Sequence, residues 1–320
     1  MKKICLTPVK NEDWVLESFL DAASLWADII IIADQHSTDK TEEIARSFSK
    51  VHYIKNDSSR YDEAYRQKLL LSEARKFGSG NFILALDADE ILSANFLESK
   101  EWDTFFSNQP GTTMSLQWAN VSPDFKSYWT GFQHFPVGFI DNGKEGSGVL
   151  LHSPRIPLDS SMVDVKMKDV MLLHLQYTYW ERMLTKQVWY QLYERYNHPE
   201  KSYVDIYEQY NHFKYLMASS RPIPQEWLYS EKDNGVVIKI NKSESVFFWE
   251  ADIKKMIEDK GVGYFNKLMI WNYPFMFKYK DNVSFSFFSR AILPSLLRVY
   301  GGLPNRFYKR WLKYLLTQVR

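Results

Sequence analysis

The amino-acid sequence predicts an α/β protein with a doubly wound, mainly parallel sheet and a helical C-terminal extension, on three observations. Short apolar or β-branched runs at residues 4–9, 29–33, 51–54 and 82–86 alternate with segments of helical periodicity. The first, second and fourth runs end abruptly in polar, carboxylate-bearing stretches. Beyond residue 179, apolar positions keep helical spacing at 179–196, at 203–218 and in the basic stretch 285–320, while the signal fades from about 219 to 280.

Ile4-Cys5-Leu6-Thr7-Pro8-Val9 reads as a first strand, and Lys10-Asn11-Glu12-Asp13 as a polar turn into a helix with apolar positions Val15, Leu16, Phe19, Leu20, Ala23 and Trp26. A second strand, Ile29-Ile30-Ile31-Ile32-Ala33, leads through a loop beginning at Asp34 to a helix over residues 40–49, with Asp39 and Glu42 as a capping pair. A third strand at 51–54 and a helix over 61–77 follow, stopped by Gly78-Ser79-Gly80. That order implies right-handed crossovers, so the loops after strands one, two and four converge on one edge.

The fourth strand is the most informative. Phe82-Ile83-Leu84-Ala85-Leu86 runs directly into Asp87-Ala88-Asp89-Glu90. Ligands of open α/β sheets bind at the carboxyl ends of strands. Asp-x-Asp offers two hard oxygen ligands for one divalent cation, Mg²⁺ or Mn²⁺, whose shell a diphosphate would complete. A helix cap is the plain structural alternative. A haloacid-dehalogenase-type phosphatase is a second, but Ile91 stands where that pattern wants Thr.

The 320 residues, 45% hydrophobic and 25% charged, suffice for one large core or two modest ones. No apolar run reaches the roughly 18 to 20 residues of a membrane span, and the N-terminus lacks a signal-peptide core, so the expected location is the cytoplasm. The single cysteine, Cys5, reads as a packed thiol. Net charge is +1, yet residues 282–320 hold seven Arg and Lys and no Asp or Glu. Two basic amphipathic helices in 285–320 would suit an anionic membrane surface, here the inner face of the cytoplasmic membrane, or would pack on the protein. The rest of the chain is net acidic and has no basic aromatic motif, which argues against nucleic acid as a partner.

Three stretches together, Thr7-Pro8-Val9-Lys10-Asn11-Glu12, Asp34-Gln35-His36-Ser37-Thr38-Asp39-Lys40-Thr41 and Leu84-Ala85-Leu86-Asp87-Ala88-Asp89-Glu90, resemble the family 2 glycosyltransferases of the GT-A fold. The resemblance is close over about residues 1–100 and thinner to about 195. Gln35 and His36 replace the more usual Asp-Gly or Asn-Gly. The resemblance implies a GT-A fold, with a Rossmann-like nucleotide-binding half and an acceptor half. It also implies inverting, metal-dependent transfer from a nucleotide sugar, UDP-linked by preference, to a hydroxyl of a glycan or glycolipid, as in bacterial cell-surface polysaccharide or lipopolysaccharide synthesis. Asp34 would then accept from the nucleotide base, while Pro8, Lys10 and Glu12 line base and ribose and Arg66 faces the donor. Asp87 would meet ribose and metal-bound diphosphate, Asp89 would ligate the metal, His174 would complete its shell, and Lys186 would contact phosphate.

Residues 101–175 read as the acceptor half. They hold a strand at 112–119, a loop rich in Pro, Trp and Tyr, a Gly-rich loop at 141–148, and strands at 149–152 and 170–175. A base that deprotonates the acceptor would come from Asp141, Glu145, Asp164 or Asp169, with Asp141 favoured for its place beside the Gly-rich loop. Helices are expected at 179–196, 203–218 and 250–258, with a break at Arg221-Pro222-Ile223-Pro224. The expected organisation is a nucleotide-sugar half at 1–100, an acceptor half at 101–200 and a mostly helical extension at 201–320. Two rival functions stay open: a nucleotidyltransferase, although Lys10-Asn11-Glu12 is no Gly-rich phosphate loop, and a sugar- or lipid-binding scaffold on the same fold.

Overall fold

In the computed structural model, residues 1–58, 62–146, 148, 153–211, 213–230, 236–242, 246–279, 295, 296 and 299 are described. The expected strand at 149–152 and nearly all of the basic tail lie outside these residues. The chain divides into two units, Met1–Thr178 with Arg221–Ser243, and Tyr179–Ser220 with Glu244–Arg320. The first unit thus runs to Thr178 and takes in the later segment Arg221–Ser243.

In the first unit, apolar residues of the first half form β1 (Lys3–Val9), α1 (Leu16–Ser24), β2 (Ile29–Asp34), α2 (Thr41–Ser47), β3 (Val51–Lys55), α3 (Glu63–Arg75) and β4 (Phe82–Ala85). β5 (Glu90–Leu92), α4 (Lys100–Phe105), β6 (Thr113–Val121), β7 (Ser127–Ile140), β8 (Asp164–Lys166) and β9 (Leu172–His174) complete the run to Thr178. The second unit holds α5 (Trp180–Asn197), α6 (Tyr203–Asn211), α7 (Phe213–Leu216) and α8 (Trp249–Lys260), and β10 (Arg221–Pro222) belongs to the first. Among the described residues no helix is long and apolar enough to cross a membrane.

The strands form one mixed sheet in the order β3-β2-β1-β4-β7-β6-β9-β5, with β10 on β7 and β8 on β6. β3, β2, β1 and β4 run parallel, as the crossover helices require. β7 then pairs antiparallel with β4 and β6, and β5 antiparallel with β9. This is an α/β, GT-A-like arrangement. The stretch expected as a loop rich in Pro, Trp and Tyr is largely β7, and the break at Arg221 is a short strand on it.

Alternation along the strands buries both faces. Ile4, Leu6, Ile31, Ala33, Ile83 and Ala85 pack on one face against Leu70, Leu71 and Ala74 of α3. Cys5, Ile30, Ile32 and Leu84 are equally buried by alternation on the other. Cys5 is a packed thiol, its pKa pushed well up by burial. Phe82, Trp102 and Phe105 meet edge to face, with Phe82 and Trp102 centroids 5.9 Å apart. β6 breaks register with β7 between Met114 and Ser115 and again between Gln117 and Ala119.

Candidate functional site

The loops after β1 and β2 are stitched together by side chains. Asn11 takes a left-handed backbone, φ 54°, and its N–H donates to Ser37 Oγ (2.8 Å) while its Oδ1 accepts from Thr38 N (2.8 Å). Glu12 N donates to Thr41 Oγ1 (2.8 Å), and Asp13 N to Asp39 Oδ2 (3.2 Å). Thr41 N donates to Asp39 Oδ1, so Asp39 starts α2. His36 is also left-handed, φ 57°. That is the position at which the resembled family more usually has Gly, the residue that adopts this backbone without strain.

Asp34, at the carboxyl end of β2, is buried. Its Oδ1 accepts from Ser37 N (2.9 Å) and Ser37 Oγ (2.7 Å), and its Oδ2 from Tyr53 Oη (2.6 Å). Burial first, then the hydrogen bond to Asp34 and its charge, push the Tyr53 pKa well up. Pro8 and Lys10 are half-buried at the end of β1. Glu12 accepts from the Trp14 indole N–H (2.6 Å).

Asp13 and Asp39 lie side by side. Burial and the Asp39 carboxylate raise the Asp13 pKa. A folded pKa above the unfolded one means that the folded chain holds this proton more tightly, so the pair costs stability at neutral pH and the cost is relieved as pH falls through the folded pKa. Asp13→Asn, which can donate to Asp39, should therefore raise Tm at pH 7 by roughly 1–3 °C. In calorimetry at about pH 4, near the ordinary Asp range, the gain should vanish.

Sheet register builds the acidic centre. Glu90 lies opposite His174, and His174 opposite Asn120, in one row across β5, β9 and β6. Trp118, two residues before Asn120, shares its face. Its indole N–H donates to Glu90 Oε1 (2.7 Å) and its ring stacks on His174, centroids 4.9 Å apart. Glu90 also binds Arg155, and Arg155 Nη2 reaches Asp87 Oδ2 (2.8 Å). Burial lowers the Arg155 pKa, but the charges of Asp87 and Glu90 outweigh it and the net shift is upward.

His174 Nδ1 lies 2.9 Å from Asn120 Oδ1 and 3.4 Å from Gln176 Nε2; in the tautomer that donates from Nδ1 to Asn120, Nε2 is an acceptor. Nε2 then faces Asp89 Oδ2 at 3.9 Å as a second acceptor. Asp89 is buried, and no donor among the described residues is hydrogen-bonded to its carboxylate. Burial, then the Asp89 charge, pushes the Tyr177 pKa well up. Two facing acceptors, one nitrogen and one oxygen, fit a divalent cation, and Asn120 orients the imidazole as metal-binding histidines are commonly oriented. Among the described residues no three His, Cys, Asp or Glu side chains converge as a metal cluster. The expected trio of Asp87, Asp89 and His174 is thus not assembled in this conformation, because Asp87 is engaged by Arg155.

Asp141 is not placed to act as a base. β7 runs antiparallel to β4, so its last residue, Ile140, pairs with Phe82, and Asp141 N donates to Asn81 O at the end of β4 remote from Asp87. The buried carboxylate is held by Arg75 Nε (3.1 Å) and Nη2 (3.0 Å) and by Gly143 N (3.0 Å). These partners make it a clamp between α3 and the loop after β7. Asp141→Asn should lower stability by about 1–3 kcal/mol, and chemical denaturation beside the unchanged chain would check this.

Arg66 is half-buried on α3 beside Glu63, 3.8 Å away. Lys186, half-buried on α5, belongs to the second unit. The residue that sequence reasoning missed is Arg155. The segment that carries it is seated on α3: Ser153 N donates to Glu63 Oε2 (2.8 Å), and a Cβ at Gly148 would lie 2.6 Å from Ala64 Cβ. Prolines at 154 and 157 flank Arg155, and that spacing was its only sequence signal.

Residues 5–99 match the family model described as glycosyl transferase family 2. No curated protein matches the sequence. Among solved structures, the chain is similar to glucosyl-3-phosphoglycerate synthase from Mycobacterium tuberculosis, at 19% identity over 37% of this chain and 44% of that one, with a TM-score of 0.29. It is also similar to 4-diphosphocytidyl-2C-methyl-D-erythritol synthase, at 14% identity over 44% of this chain and 76% of that one, TM-score 0.32. The chain thus spans less than half the length of the first of these.

Proposed function

We propose that this chain transfers a sugar from a nucleotide-sugar donor, UDP-linked, to a hydroxyl of a glycan or glycolipid, with inversion at the transferred carbon. The observation that carries the reading is the meeting of Asp89, in the turn after β4 and within the family 2 match, with His174 at the end of β9, 3.9 Å apart.

In this reading Asp34 accepts from the nucleotide base, with Pro8, Lys10 and Glu12 along base and ribose, and the cross-links from Asn11 to Ser37 and Thr38 hold the two loops in place. Asp89 and His174 would hold Mn²⁺ or Mg²⁺; the nitrogen ligand favours Mn²⁺. When bound, the cation supplies positive charge against the diphosphate that departs, where negative charge grows in the transition state. Asn120 keeps the His174 proton on Nδ1, and Tyr177 remains a neutral phenol beside Asp89. The half-buried rings of Trp118 and Phe135, 4.2 Å apart, offer an apolar wall for a sugar ring. Transfer to cell-surface polysaccharide or lipopolysaccharide, at the inner face of the cytoplasmic membrane, is the setting that the family resemblance suggests.

The test is calorimetric titration of UDP, GDP, CDP and dTDP with and without Mn²⁺, repeated on Asp89→Asn for the tightest binder. We expect Mn²⁺-dependent binding of UDP, weakened by about tenfold or more in Asp89→Asn. No binding of any of the four, with or without metal, would overturn the reading.

A further inference from the structure

Arg155 binds two carboxylates of unequal burial. Nη1 and Nη2 donate to the two oxygens of Glu90, and Nη2 also donates to Asp87 Oδ2 at 2.8 Å. The Glu90 side chain is fully buried, whereas 41% of the Asp87 side chain is exposed. Opening a buried pair strands a charge away from water, while an exposed hydrogen bond exchanges with water at little cost. The guanidinium is therefore anchored on Glu90 and only leans on Asp87.

Its surroundings keep it there. Its guanidinium carbon lies 5.8 Å from the Trp118 ring and 5.7 Å from the Phe135 ring, within reach of cation–π attraction to both. Trp118 donates to the same Glu90 and stacks on His174, so one indole ties the arginine's anchor to the Asp89 and His174 pair. Arg155 also lines a cleft with Leu6, Lys68, Leu71 and Ile156. The Arg155 cation thus meets the Asp87 end of the Asp87-Ala88-Asp89 turn, and His174 faces the Asp89 end.

We propose that Arg155 is the exchangeable counter-ion of Asp87: it pairs with Asp87 in the unliganded site, yields that carboxylate to a divalent cation, and presents the released Nη2–H to the donor diphosphate. Throughout the exchange the bidentate hold of Glu90 keeps the guanidinium in position while its half-exposed hydrogen bond to Asp87 is given up. Arg155 is in this sense both a positioning residue for Asp87 and an anion-binding residue. The diphosphate step rests on the nucleotide-sugar reading above; the exchange at Asp87 does not.

The test uses the full chain and the double variant Arg155→Met/Glu90→Gln, which removes both charges of the buried pair together. Mn²⁺ alone is titrated first, then UDP at saturating Mn²⁺. We expect Mn²⁺ to bind the double variant about two- to fivefold more tightly than the unchanged chain, the fold-change of one exposed ion pair. UDP should bind it about tenfold more weakly, the loss of one charge-assisted hydrogen bond. Unchanged or weaker Mn²⁺ binding, or undiminished UDP binding, overturns the proposal. Failure of the unchanged chain to bind UDP would count against the nucleotide-sugar reading, and the Mn²⁺ comparison would still decide the exchange. A second readout needs no substitution: the Arg155 guanidinium ¹⁵N resonances should shift as Mg²⁺ is added, and resonances that stay fixed at saturating Mg²⁺ overturn it as well.

Discussion

Glu90→Ala is expected to lower the unfolding free energy by about 3–5 kcal/mol and Tm by roughly 10 °C. The side chain is fully buried and accepts from both Arg155 terminal nitrogens, from the Trp118 indole (2.7 Å) and from Asp87 N (3.1 Å). Alanine removes every acceptor at once and leaves the Arg155 charge without its main partner. The penalty is that of stranding those donors, which exceeds the net gain of making the bonds. Glu90→Gln keeps one acceptor oxygen and should lose roughly half as much. Arg155→Met alone should cost about as much as Glu90→Ala, and the double variant Arg155→Met/Glu90→Gln should recover most of it, because neighbours in one network are not additive. Differential scanning calorimetry on the four variants would check the cycle. A loss under about 1 kcal/mol for Glu90→Ala would reduce the pair to the worth of a surface ion pair.

Asp34→Ala should weaken UDP binding by about 100-fold with only a modest loss of stability, about 1–2 kcal/mol. Asp34 receives Ser37 N, Ser37 Oγ and Tyr53 Oη, and Ser37 Oγ in turn receives Asn11 N from the neighbouring loop. One carboxylate therefore fixes both loops that flank the nucleotide in the proposed reading. Asp34→Asn retains a carbonyl for Ser37 and should lose nearer tenfold. Titration calorimetry beside a thermal melt separates the two effects. Equal loss of binding and of folding would make Asp34 a structural residue alone.

The parallel half of the sheet was legible because its strands are buried on both faces and read as unbroken apolar runs, as in Ile29-Ile30-Ile31-Ile32. The places of Asp34, Asp87 and Asp89 were legible for the same reason, since charge that follows such a run must lie at its end. β7 was not. Pro136, Gly131 and Gly138 break its pattern, and Pro136 sits beside a register shift where a missing N–H is tolerated. Once β7 was unread its direction was unread too, and direction decides that Asp141 lies at the end of β4 away from Asp87. Arg155 was hidden for a different reason. Its partners lie 65 and 68 residues away in sequence, and no local period encodes a pairing of that span.

The register shifts in β6 have a geometric consequence. Between Ala85, the last residue of β4, and Glu90, the first of β5, the chain advances five residues, a reach of ~17 Å at most. In the sheet order, β7, β6 and β9 stand between those strands. Laid flat at the usual strand spacing, four such steps would cover ~19 Å. The tether is too short for a flat sheet, so the sheet must curl between β4 and β5, and the irregular points of β6 are where strands bend most readily. The connection is not an extended link: Glu90 N donates to Asp87 O (3.0 Å), so Asp87 and Asp89 sit on a closed turn that joins β4 to β5 of the curled sheet. One glycine inserted between Leu86 and Asp87 would lengthen that connection while leaving both carboxylates in the chain.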